Sequence, residues 1–142
     1  MKSILIFMML FSLIWGSPGY TGEKLVVVVN AASGVEQLTR EQVINIFLGR
    51  YRQLPSGVMA QPIDQPYNQH NKALFYKLLV GKELSEINSY WARLVFSGKT
   101  KPPQQVTDVS ELHELLKNVP GAITYLDIEQ VDPQVKVVLN LH

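Results

Sequence analysis

The apolar and polar positions fall into blocks whose period changes along the chain. Lys24 to Asn30, KLVVVVN, is a continuous β-branched run. Continuous rather than alternating apolarity predicts a strand buried on both faces, as in a parallel sheet covered by helices. A turn, AASG, follows. In LTREQVINIFLGR the apolar residues Val43, Ile44, Phe47 and Leu48 line one helix face. Thr39 with Gln42 has the spacing of a capping box, Leu38 with Val43 that of a hydrophobic staple, and Gly49 stands where a helix ends.

After a loop over Arg50 to Gly57, the stretch Val58 to Asp64, VMAQPID, reads as a short strand. Pro62 places its end there or puts it on a sheet edge. The polar segment QPYNQ leads into a helix from Asn71 to Val80, closed by Gly81. A longer helix from Leu84 to Phe96 carries Ile87, Tyr90, Trp91, Leu94 and Val95 at helical spacing. Pro102 and Pro103 make SGKTKPPQQ a loop. Asp108 with Glu111 forms a second capping-box pattern, followed by the stripe Leu112, Leu115, Leu116 and Val119. AITYLD and VKVVLNL are two further strands. The predicted order is β-α-β-α-α-α-β-β, about four strands and four helices, and this alternation points to a three-layer α/β domain.

Composition narrows the setting. The first 19 residues read MKSILIFMMLFSLIWGSPG, with Lys2 as a minimal positive start and a 12-residue apolar core from Ile4 to Trp15. A bilayer span needs about 20 apolar residues. Ser17 and Gly19 have the spacing of a cleavage site, so residues 1–19 are expected to be a secretory signal peptide, cut before Tyr20. Residues 20–142 then form the mature domain, with 12 basic and 12 acidic side chains. No cysteine is present, so neither a disulfide nor a lipid-bearing cysteine is available. A bacterial periplasm is the expected location. Charge balance and the lack of a basic run argue against a nucleic-acid partner.

No catalytic pattern emerges. The three histidines are scattered, without metal-ligand spacing, and no nucleophile elbow occurs. The GKT of Gly98 to Thr100 lacks the upstream glycine of a phosphate loop and is followed by prolines. The chain reads as a non-enzyme without cofactor or metal.

Several phrases in order carry a resemblance: LTREQVINIFLGR, then QPID, then ALFYKLLVGKELSEINSYWARLVFSGKTKPPQQV, then PGAITYL. Over about Leu25 to Val138 the chain resembles the phosphate-type substrate-binding proteins of bacterial ABC transporters, and in particular small members with one lobe of the two-lobed clamshell. The resemblance implies an α/β fold, a three-layer single lobe of the periplasmic binding protein type II kind with a mixed sheet. Mostly core and turn residues carry it, so it speaks to fold before ligand.

In that family a Gly-Ser-Gly-Thr-like loop, usually followed by arginine, holds phosphate at a helix N-terminus, where unpaired N–H groups and positive potential favour an anion. Here the matching positions are Asn68, Gln69, His70 and Asn71, with Lys72 near the arginine's place. The resemblance thus implies a ligand site for phosphate or a related small anion at Gln69, His70, Asn71 and Lys72, with Ser33 of the AASG turn opposite. The alternative is that Asn68 or Asn71 caps the helix and Ser33 is an ordinary turn serine. A helix N-terminus contributes about 0.3–1 kcal/mol to an exposed anion, whereas a micromolar complex needs about 8 kcal/mol. A second wall is therefore required, from the AASG turn, a second copy of the chain, or a partner.

Two functions follow. One is an exported solute-binding protein linked to ABC transport or envelope sensing, with a membrane transporter or sensor protein as partner. The other is an interaction module that kept the fold and lost the ligand, docking to an envelope receptor or to itself. Convergent N–H groups near Asn71 would favour the first, and side chains folded back as caps the second. Trp91 is expected in the core, Arg93 in solvent or in an ion pair, Tyr67 bordering a pocket or covering the loop, His113 on the polar side of its helix, and Thr124 on a strand where the family often has glycine.

Overall fold

A computed structural model describes residues 24–142; the expected signal peptide and its cleavage site before Tyr20 lie outside them. The elements are β1 (Leu25–Asn30), α1 (Arg40–Phe47), β2 (Gln61–Asp64), α2 (Gln69–Val80), α3 (Leu84–Ser97), β3 (Gln104–Gln105), α4 (Val109–Asn118), β4 (Ala122–Asp127) and β5 (Val135–Asn140). They form one mixed sheet in the order β3-β2-β4-β1-β5. This is the expected α/β class, with one strand more than expected. The extra strand, β3, is a two-residue parallel partner of β2, pairing Gln104 with Ile63 and Gln105 with Asp64. It begins directly after Pro102 and Pro103, whose missing N–H groups suit an edge.

β1 is buried at every position, as its apolar run predicts. Its partners run the other way, however: both β4 and β5 are antiparallel to it. Only β2 pairs in parallel with β4 and β3. Continuous apolarity reports two covered faces and says nothing of strand direction, which is why the parallel expectation failed for β1.

The two faces carry separate cores. Leu25, Val27 and Val29 point to one side, where Val43, Ile46, Phe47, Phe75, Tyr76, Leu79, Ile87 and Trp91 from α1, α2 and α3 pack on them. Val26 and Val28 point to the other side, against Leu112 and Leu116 of α4. An aromatic cluster fastens the first side. Phe75 stacks on Tyr125 at 4.1 Å between ring centroids and meets Phe47 edge-on at 4.8 Å. Trp91 is buried as expected, while Arg93 is exposed.

Local signals account for the helix ends. Thr39 and Gln42 make the reciprocal capping box ahead of α1. Asp108 accepts from the Glu111 N–H, but Glu111 turns its own carboxylate to Thr107, so the second box is only half made. Gly81 closes α2 in the left-handed conformation. β2 is shorter than the run Val58 to Asp64 because Met59 bridges back to Gln53 before the strand begins. At the same place Gly121 lies so close to that loop that a β-carbon would stand 1.7 Å from the Met59 carbonyl oxygen.

Candidate functional site

The chain leaves β2 at Asp64, turns over Gln65 to Asn68, and enters α2. The turn is closed by the Asn68 N–H donating to the Gln65 carbonyl at 3.1 Å. Asn68 then caps the helix: its side-chain oxygen accepts the Asn71 N–H at 3.1 Å, and its carbonyl accepts the Lys72 N–H at 3.0 Å. Gln69 folds back as well, with Nε2 donating to the Pro66 carbonyl at 2.7 Å. Asn71 is buried, and its Oδ1 meets no hydrogen-bond donor among the described residues. His70 is exposed on the first turn.

Lys72 points inward. Its ammonium lies 3.7 Å from Asp64 Oδ2, and its side chain is 13% exposed. One turn further, the Tyr76 hydroxyl donates to the same oxygen at 2.7 Å. Positions four apart on a helix share a face, so Lys72 and Tyr76 converge on one carboxylate. Asp64 Oδ1 accepts from the Tyr125 hydroxyl at 2.5 Å and from the Gln65 N–H at 3.0 Å. Gln65 extends the network with Nε2 donating to Thr124 Oγ1 at 3.1 Å and to the Tyr125 carbonyl, while Thr124 donates to the Ile63 carbonyl at 2.9 Å. Asp64, 2% exposed, is thus fully bonded beneath the first two turns of α2. This burial matches the rule that an interior charge needs both a partner and hydrogen bonds.

The network marks its tyrosines. Burial, then the charge of Asp64 and the hydrogen bond to it, hold the Tyr76 phenol well above its ordinary value. Burial, then the charge of the same carboxylate and the hydrogen bond to it, also push the Tyr125 phenol up, against an opposing pull from the Gln65 N–H. Both phenols stay protonated and act as donors.

Ser33 does not face this place. Register puts Val29 opposite Ile123 and Val27 opposite Tyr125, and Ile123 beside Pro62. The turn after β1 therefore emerges at the sheet end where β2 begins, and α2 starts at the other end. Ser33 is fully buried there, its Oγ accepting the Val35 N–H at 3.2 Å and its carbonyl accepting from Ser56 at 2.6 Å. The structure groups Gln69, His70, Asn71 and Lys72 on the first turn of α2 and leaves Ser33 apart. Asp64, Gln65, Tyr76 and Tyr125 join the group although nothing in the sequence singles them out. Asp64 reads there as a strand-ending residue, and nothing local ties it to tyrosines 12 and 61 positions away.

No family profile matches the chain, and no curated protein matches it. Solved structures do resemble it. An ABC-type phosphate transport receptor from Vibrio cholerae superposes with a TM-score of 0.61 at 19% identity, over 81% of this chain and 45% of that one. A Clostridium perfringens protein assigned as a phosphate ABC transporter substrate-binding protein, crystallised with bound phosphate, gives a TM-score of 0.60 at 14% identity, over 81% of this chain and 44% of that one. The shared feature is the fold. The chain spans less than half the length of either protein.

Proposed function

We propose that this chain is an exported, non-catalytic binding protein on one lobe of the solute-binding fold, and that it acts by contact with another envelope protein rather than by enclosing a free anion. The observation that carries this reading is the closed start of α2. Asn68 occupies the Asn71 N–H, Gln69 is turned onto Pro66, and Lys72 is directed at Asp64. An incoming phosphate would have to displace the cap, worth about 1 kcal/mol, and draw Lys72 from a carboxylate that stays buried beside it. Among the described residues, the Ser33 turn does not supply the far wall it would need, since that turn lies at the other end of the sheet.

A second reading has one observation in its favour: a structural neighbour holds phosphate. In that reading Gln69, His70, Asn71 and Lys72 form half of a small-anion site, and a second copy, a transporter or a sensor supplies the other half. Ser33, buried at the far end, takes no part in it within one chain.

Calorimetric titration of the purified protein with phosphate, with sulfate as control, separates the two. No saturable heat at millimolar phosphate is the expected result. Saturable heat that disappears in Lys72→Ala, with the variant still folded by circular dichroism, would overturn the proposal in favour of the anion site.

A further inference from the structure

An open groove of about 870 Å³ lies between the loop 49–62 and the end of α3 with its following turn. Tyr51, Met59 and Val95 give it apolar walls, and Arg52, Lys99 and Lys101 give it charge. All six side chains are exposed. Phe96, beside Val95 on the last turn of α3, is 94% exposed. Exposed apolar residues scattered singly are ordinary, but a contiguous set is not.

The charge is one-sided. Residues 49–62 and 93–104 together hold five of the chain's 13 Lys and Arg and none of its 12 Asp and Glu. Among the described residues, Lys72, Lys77, Lys82 and Lys136 have carboxylate partners, and Arg52, Lys99 and Lys101 do not. Arg52 spends one N–H on the Lys99 carbonyl at 3.1 Å, which ties the two walls together and leaves the cationic charge unneutralised. Unpaired cations spaced around an apolar floor are complementary to carboxylates flanking an apolar side chain. Aromatic residues, Met and Arg are also the types enriched where proteins meet.

We propose that this groove is the docking site for an acidic segment of a partner protein, an extended or helical stretch whose carboxylates meet Arg52, Lys99 and Lys101 while an apolar or aromatic side chain lies against Tyr51, Met59 and Val95. The inference rests on the reading that the chain works through protein contact, and it gives that contact a place and a chemistry. A concave groove takes a peptide segment more readily than a flat lipid surface, which is the competing occupant for a basic and apolar face.

The test is a selection of a random 12-residue peptide library on the immobilised full chain, followed by fluorescence anisotropy of the enriched peptides. The expected outcome is enrichment of sequences with net negative charge around an apolar or aromatic residue. Their binding should weaken with salt and fall at least ~10-fold both in Lys99→Glu/Lys101→Glu and in Met59→Ser/Val95→Ser. These side chains are exposed, so folding should survive, and circular dichroism checks it. Failure to enrich peptides, enrichment of neutral or basic ones, or binding unchanged in the groove variants would overturn the assignment. Sedimentation with phosphatidylglycerol vesicles, lost in the same variants while no acidic peptide is enriched, would overturn it in favour of a membrane. A silent groove together with silent phosphate calorimetry removes the docking site alone. Phosphate heat dependent on Lys72 removes the interaction reading itself, whatever the groove does.

Discussion

Replacing Asp64 by asparagine tests whether the buried network is what fastens α2 to the sheet. The side chain keeps its shape and loses its charge. With its surroundings unchanged, one oxygen can still accept from Tyr125 and the Gln65 N–H, which now stand at 2.5 and 3.0 Å from Oδ1. The new amide NH₂ then faces the Tyr76 hydroxyl and the Lys72 ammonium, at 2.7 and 3.7 Å from the present Oδ2. Two charge-assisted hydrogen bonds become neutral, and the Tyr76 hydroxyl loses its acceptor and can only receive the amide N–H, a loss of about 1 kcal/mol for each of the three contacts. Lys72 also loses its partner while largely covered, and breaking a buried pair from one side costs about 3–5 kcal/mol. Relief of carboxylate desolvation offsets part of this. The net expectation is a loss of about 3 kcal/mol.

For about 120 ordered residues the unfolding entropy is about 0.25 kcal/mol/K, so Tm should fall by about 12 °C. Urea denaturation gives the free energy directly, and the double-mutant cycle with Tyr76→Phe gives the coupling, expected near 1–3 kcal/mol. A loss below about 1 kcal/mol, or a cycle that closes to zero, would refute the idea that Asp64 holds helix and sheet together.

Two further predictions concern the buried tyrosines and the start of β4. Tyr76 and Tyr125 have folded pKa values raised above the ordinary value near 10, so their contribution is complete below that pH and is lost as pH rises from it toward the folded values. Stability should therefore drop above about pH 10, by about 1.4 kcal/mol per pH unit for each phenol. Denaturation at graded pH should show a shallower slope in Tyr76→Phe; a flat profile up to about pH 11 would contradict it. Gly121→Ala sets a β-carbon against the Met59 carbonyl oxygen and should cost about 2–3 kcal/mol or more by urea unfolding; a cost under about 0.5 kcal/mol would mean the 58–60 loop yields freely.

Much of this fold can be read from the chain because its signals are local. The β-branched run at residues 25–30 announces a fully covered strand, Thr39 and Gln42 announce the start of α1, and Gly81 its counterpart at the end of α2. What stays hidden depends on partners distant in sequence. The direction of β1 is set by β4 and β5, which its own residues do not encode. β3 is two glutamines behind two prolines, and its pairing comes from Ile63 and Asp64 alone. The Glu83 N–H bonded to the Glu86 carboxylate is a capping contact built from acids rather than from Ser or Thr. The site divides the same way. The polar first turn of α2 is visible as a run of donors, but their orientation is not. A lysine beside a helix start is expected to offer its charge outward; Asp64, reached across the end of β2, turns Lys72 inward.

That inversion bears on what the start of α2 can hold. A clamshell site is strong because two surfaces desolvate one ion together, and a single helix N-terminus falls short of micromolar affinity by most of the roughly 8 kcal/mol required. A helix start that faces no second surface therefore gains little from keeping its donors open to water. Here the donors are spent internally: the cap takes one N–H, the glutamine turns to a carbonyl, and the lysine and two tyrosines close on one carboxylate. Of these contacts, those of Lys72 and Tyr76 with Asp64 join α2 to its own sheet. On the walls of the groove beside α3, Arg52, Lys99 and Lys101 meet no carboxylate of the described residues. A surface of that kind is completed by another molecule, so the groove, and not the start of α2, is where a partner should be sought.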